Sequence, residues 1–429
     1  MRRQLIGPGA GRRIIVPLAA TQTVGYGVLY YCFSVFLSPM AQTQHATVTS
    51  VTLALTISLL AGAAAAVPVG RWLDRRGGRG LMTVGALLAA LLVLAWSRVD
   101  TLAELYVVWI GIGISSAAVL YEAAFAVVVS AFRGTARGRA LLAVTVVAGF
   151  ASSIFLPASG WLLAAFGWRT AVLVLGLVYG VVAVPLHLVL PVRADRGEVG
   201  QGRSKHAESV AAAHRRVVVR RALRDPVFYL LGAGFFAQGA AVAVVGVLLV
   251  SALRSLGHPA SFAAGAAGML GVMSVSGRLA FTAAGRRGSP AYAAAAVFAL
   301  QAFGAGLLPV LGRSDAGAIG CVVVFGAGFG VATITRPALL AERYGTGAYA
   351  TISGTMSTPL TIAKALAPLG GAVLAVATGS YTPVMSATAG ACLLGSVALA
   401  VAAYVVPRLA VPENAGADVG AAGAAAVAR

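Results

Sequence analysis

The ten residues Gly70-Arg71-Trp72-Leu73-Asp74-Arg75-Arg76-Gly77-Gly78-Arg79 carry four arginines and one carboxylate. An apolar run at 48–72 leads into them and another at 81–97 follows. A short basic break between long apolar stretches reads as the loop between two membrane-crossing helices, each needing about 20 apolar residues. The alternation continues in both directions. The apolar runs fall at 14–37, 48–72, 81–97, 102–131, 140–164, 169–191, 226–252, 260–284, 290–311, 316–340, 349–377 and 382–406. We number these spans one to twelve. They are too long and too evenly apolar for barrel strands, which alternate, so helices are expected throughout.

Composition points the same way. The chain has 429 residues, 59% hydrophobic and 10% charged, and a mean hydropathy of +0.90. A soluble domain carries about 25% charged residues and could not hide this much apolar surface, so a water-soluble globule is excluded. The net charge of +20 would suggest nucleic acid on a soluble protein. Here it sorts by side, and no nucleic acid is expected. With the N-terminus cytoplasmic, 25 of the 32 basic residues fall in cytoplasmic segments. Only Arg98, Arg169, Arg254 and Arg313 fall in outer loops, as the positive-inside rule demands. The layout is a multi-pass protein of an inner or plasma membrane, with both termini cytoplasmic.

The longest polar segment, 192–225, is Arg-rich and divides the spans six and six. Residues 1–191 and 226–406 are expected to form two six-helix bundles. The segment 192–225 would be a cytoplasmic basic linker, and the Ala/Gly-rich tail 407–429 disordered. Weak internal matches run in the same order through both halves. Gly70-Arg71 matches Gly277-Arg278, Gly111 and Gly113 match Gly326 and Gly328, Pro157 and Gly160 match Pro368 and Gly371, and Gln22 matches Gln238. Together they indicate two parallel six-helix repeats. The three cysteines, Cys32, Cys321 and Cys392, lie far apart within apolar runs. No metal site or disulfide framework is indicated.

The loop at 70–79 resembles the loop signature of the major facilitator superfamily, G-x-x-x-D-R/K-x-G-x-R/K. That resemblance covers almost the whole chain. It implies an all-α membrane protein, with twelve transmembrane helices in two pseudo-symmetric bundles. It also implies a cytoplasmic latch built from Gly70, Asp74, Arg75, Gly77 and Arg79, with Asp74 as the carboxylate and Arg75 and Arg79 as its basic partners. The second copy has Phe281 where the first has Asp74, so the latch is asymmetric. Gly167-Trp168-Arg169, Gly277-Arg278 and Ala363-Lys364-Ala365 are similar to the bacterial monocarboxylate and oxalate/formate porter branch. In that branch basic residues on helices eight and eleven bind substrate carboxylates, which implies that role for Arg278 and Lys364.

Four charged residues lie inside spans: Glu122, Arg278, Arg336 and Lys364. A charge at mid-membrane costs about 2.5–3.5 kcal/mol even on lenient scales, so each is a functional candidate. Lys364 sits about 15 residues into its helix, too deep to snorkel easily, and faces either a substrate path or a buried partner. Arg278 can reach lipid phosphate or belong to the degenerate second loop motif. Glu122 and Arg336 take nearly the same repeat position on spans four and ten. They are expected either to pair and close the cytoplasmic side, or to leave Glu122 as the proton carrier. Gln22, Tyr26 and Tyr30 recur every four residues on span one, which predicts one polar face. With Gln238 and Tyr121 they would line a substrate cavity, against the plainer reading of hydrogen bonds between helices.

The sequence carries no H-E-x-x-H, no nucleophile elbow and no phosphate-binding Gly-Lys-Ser/Thr loop, so an enzyme or an ATP-driven pump is not expected. Nor is a cofactor. The reading is a monomeric transport unit working by alternating access, moving a small organic anion, a monocarboxylate, together with a proton. The alternatives are an exporter, whose span-five signature survives only as Pro157 and Gly160, and a transporter-shaped sensor.

Overall fold

The computed structural model describes residues 8–191, 205–284 and 289–405. The expected disordered tail, the linker stretch 192–204, Arg286 and Arg287 lie outside the described residues. All regular structure among the described residues is helical. Eleven continuous helical stretches are long and apolar enough to cross a membrane. One of them, Gly134–Leu188, turns at Gly167, whose φ of 76° and ψ of 166° are non-helical. Glycine takes that positive φ without strain, so the stretch is two spans and the total is twelve.

Local chemistry sets the ends. Thr101 and Glu104 form a reciprocal capping box at the start of span four. Asp225 accepts from Val227 N at 3.0 Å, with Pro226 in the first turn of span seven. Gly77 stops span two with φ 78°. Between spans six and seven, Lys205–Ala222 forms a further helix.

Several spans are broken part-way. Span one contains a π-helical turn at Gly27–Tyr31. Span four breaks at Leu120, span five at Gly149 and Phe150, and span ten at Gly330. A break can leave a carbonyl without its helical donor inside an apolar medium, where a side chain must satisfy it.

The apolar cores show how the halves meet. One buried cluster runs through both halves, taking in Ile14, Leu73, Met82, Phe125 and Leu141 with Phe228, Phe298, Leu340, Ile352 and Leu399. These residues lie toward the end that carries the 70–79 loop and the 205–222 helix, here the basic face. Beyond it each half keeps a core of its own. In the first half that core holds Phe33, Phe36, Trp96 and Trp109. In the second it holds Val245, Leu249, Phe325 and Met385. The halves are therefore joined at the basic face and part from one another toward the opposite face.

Candidate functional site

Spans two and eleven make the seam. Span two approaches the start of span eleven so closely that a Cβ on Gly70 would run into Ala350 O, and one on Gly354 into Ala66 O. Thr358 Oγ1 donates to Ala63 O at 2.9 Å one turn further on. At the basic end the buried Asp74 carboxylate accepts from Ala350 N at 2.9 Å and Thr351 N at 2.7 Å. These amides belong to the first turn of span eleven, whose orphan donors and positive dipole end suit a carboxylate. The latch expected at Asp74 has a different partner from the one expected. Arg75 and Arg79 are exposed, and the bonds described for the Asp74 carboxylate are those from the two backbone amides.

Glu122 and Arg336 meet across the halves in an ion pair. Ser353 Oγ of span eleven donates to the other Glu122 oxygen at 2.9 Å. The break at Leu120 starts a new helix at Tyr121 and so aims Glu122 toward the second half. The Arg336 Nε is buried without a partner.

Arg278 is 7% exposed, and it neither snorkels nor faces lipid. Its guanidinium donates to Gly330 O at 3.1 Å, Thr145 O at 2.7 Å and Ser274 Oγ at 3.1 Å. Two of these acceptors sit at helix breaks, one in each half. A Cβ at Gly330 would strike Arg278 itself, so this break needs glycine. Tyr121 and Tyr31 lie within electrostatic reach of the same guanidinium.

Lys364 stands apart. It is exposed and makes no hydrogen bond or ion pair with the described residues. Its stem passes over Gly239 of span seven, where an added Cβ would come within 3.1 Å of Lys364 Cε. It lies within electrostatic range of both Arg336 and Glu122. Ser353, Ser357 and Lys364 recur at i, i+4 and i+11, which is one face of a helix. Since Ser353 bonds Glu122, that face looks into the space between the halves.

Of the other expected cavity residues, Tyr26 and Tyr121 pack ring to ring at 4.5 Å, and Tyr121 stacks on Phe125. Gln22 and Gln238 do not line the cleft. Both are buried, at 0% and 2% exposure. Gln22 Nε2 donates to Val119 O at 2.8 Å, beside the span-four break. Gln238 Nε2 donates to Gln301, whose own amide donates to Phe325 O ahead of the span-ten break. The two repeat-related glutamines brace repeat-related breaks. The single polar face predicted on span one is also altered. The π turn adds a residue between Tyr26 and the next turn, and Tyr31 rather than Tyr30 is coupled to both Tyr26 and Arg278. Sequence reading passed over Tyr31, Ser353 and Thr145. The i, i+4, i+11 spacing into Lys364 was the available signal for Ser353. Thr145 acts through its carbonyl and left none.

The arrangement is a charge cluster where two repeats converge, with Lys364 within electrostatic range of an interhelical ion pair. A sequence model of the Major Facilitator Superfamily matches residues 20–368. No curated protein matches the chain. Among solved structures, the E. coli fucose:proton symporter FucP superposes with a TM-score of 0.70 at 13% identity, covering 91% of this chain and 99% of that one. The human organic anion transporter MFSD10 (TETRAN) gives 0.69 at 16% identity, with 91% and 99% covered. The proton:xylose symporter XylE, bound to 6-bromo-6-deoxy-D-glucose, gives 0.67 at 15% identity, with 94% and 96% covered. The shared fold, the twelve spans and the family match over most of the chain make one conclusion: this chain belongs to the Major Facilitator Superfamily and is a multi-pass membrane transporter.

Proposed function

We propose that this transporter moves small organic anions of the monocarboxylate class by alternating access, coupled to a proton, with its basic face and both termini in the cytoplasm. The observation that carries the reading is Lys364. The cluster holds three cations and one carboxylate, and Glu122 already pairs with Arg336. Arg278 is held by neutral oxygens, and Lys364 has no partner among the described residues. An anion entering from the open side offsets this excess positive charge, whereas a neutral sugar does not.

In this reading Lys364 takes the substrate carboxylate, Tyr26, Tyr31 and Tyr121 orient it, and Arg278 supports the site from below. Glu122 and Arg336 close the cytoplasmic side. A proton on Glu122 weakens that pair and lets the face open, which links proton binding to the transport cycle. The name of one structural neighbour cites organic anions and those of two others cite proton symport, which is compatible with this reading and does not carry it.

Uptake into proteoliposomes under an imposed pH gradient, with a panel of organic acids and sugars, is the test. Acids should accumulate and Lys364→Ala should abolish their uptake with the fold intact. Movement of neutral or cationic compounds alone would sink the anion assignment. Glu122→Gln should lose proton-driven uptake while keeping some exchange. If both stay unchanged, neither role of Glu122 survives.

A further inference from the structure

The basic face holds a groove of about 510 Å³ that transport does not explain. Six arginines line it: Arg71 and Arg75 from the end of span two, Arg215, Arg216 and Arg220 from the helix that follows the first half, and Arg224 from the turn just beyond it. The one carboxylate in its wall is Asp74, whose oxygens accept from Ala350 N and Thr351 N. Arg71, Arg75, Arg216, Arg220 and Arg224 make no ion pair with the described residues, and Arg71 with Arg75, like Arg216 with Arg220, are one helical turn apart. Positive-inside sorting needs arginines on this face but does not need them to converge on one concavity. Like charges gathered within a Debye length repel unless a counter-anion joins them. The guanidinium fork matches phosphate oxygens bidentately, which a ring of arginines on a concave wall exploits.

The groove is also a junction. Arg71 and Arg75 belong to the first half. The segment carrying the other four is tied to the second half, because Asp225, the residue after Arg224, pairs with Arg343 at 3.1 Å and Tyr344 at 3.0 Å. Two apolar groups flank it in the open. Trp72 is 43% exposed and Val217 is 64% exposed, and the Arg76 guanidinium lies 4.6 Å over the Trp72 ring. Arginines beside exposed Trp and aliphatic side chains at the end of a spanning helix are the chemistry of the headgroup layer.

We propose that this six-arginine groove binds a phosphate-bearing anion, the headgroup of an anionic phospholipid, which ties the two halves together at the basic face. The site is complete only while spans two and eleven are in contact, since Thr351 and Asp74 complete its wall from opposite halves. The bound headgroup favours the state closed at this face, and separating the halves divides the groove.

The full-length protein, exchanged from detergent into nanodiscs of phosphatidylcholine with or without phosphatidylglycerol, tests this. Native mass spectrometry reads the lipid retained, and spin labels at Ser130 and Glu342 read the separation of the halves. Wild type should retain phosphatidylglycerol and shift toward the short distance when it is present. Arg71→Gln with Arg75→Gln, and separately Arg216→Gln with Arg220→Gln, should each retain about tenfold less. Arg133→Gln with Arg139→Gln removes the same charge from the same face outside the groove and should retain it as wild type does. Equal retention in all three double variants would overturn the proposal. If inorganic pyrophosphate binds with the same arginine dependence and no lipid is retained, the site takes soluble phosphate and the lipid assignment is overturned.

Discussion

The seam between spans two and eleven has a pseudo-symmetric counterpart between spans eight and five, and the two are built on opposite charge. At the first, a carboxylate, Asp74, reaches across to backbone N–H groups at the start of span eleven. At the second, Phe281 stands at the position of Asp74, and a guanidinium three residues earlier, Arg278, reaches across to the carbonyl of Thr145 near the span-five break. Both seams join a side-chain charge on one half to backbone dipoles on the other. They differ in which end of a helix they use. An intact helix start offers donors and takes a carboxylate, whereas a broken helix offers carbonyls and takes an arginine. The repeat conserves the device and inverts its sign.

Separate substitutions can break that comparison, with the open fraction at the basic face read from spin labels at Ser130 and Glu342. Arg278→Gln should have the largest effect, raising the open fraction about a hundredfold or more. It removes three charge-assisted bonds, at about 1.5–3 kcal/mol each, one of them across the halves, while Thr145 O keeps Gly149 N and Gly330 O keeps Thr333 N. Asp74→Asn should raise it by about tenfold to thirtyfold, because one carboxamide oxygen still accepts while its NH2 group faces a backbone donor. If Asp74→Asn exceeds Arg278→Gln, the carboxylate seam is the stronger and the ordering is wrong. Ser353→Ala should raise it by only a few-fold, since Glu122 keeps Arg336. Smallest is Thr358→Val, within about fivefold, because its hydroxyl also bonds within its own helix to Gly354 O. An effect of Thr358→Val as large as that of Asp74→Asn would mean that the seam is held by its middle and not by its charged end.

Much of this was legible in the sequence because it rests on hydropathy and charge, which need no partner to be seen. The twelve spans, the basic loop around Asp74 and the four intramembrane charges are of this kind. So was the approach of Glu122 to Arg336, which follows from their matching places in the repeats. What escaped depends on where the backbone stops being helical. No proline marks the break at Leu120, and Gly330 is one glycine among 53. Without those breaks Gln22 and Gln238 look like ligand contacts, since periodicity cannot tell a polar group facing a cleft from one bracing a freed carbonyl. The π turn at Gly27–Tyr31 hid in the same way. A surplus residue rotates everything beyond it by about 100° relative to a regular helix, and so Tyr31 replaced Tyr30. The convergence of six arginines was out of reach as well, because it depends on a helix from one half folding back onto a loop of the other.

The one-sided placement of the seams fixes a direction of work. The hydrogen bonds set out above that join the halves lie between the basic face and the level of Ala63 and Thr358. Reversing a 1:99 population takes about 5.5 kcal/mol of differential affinity, the worth of about five ordinary hydrogen bonds at about 1 kcal/mol each. On the alternating-access reading proposed above, a cargo that merely binds cannot supply this; it must bind more tightly once the seams are undone.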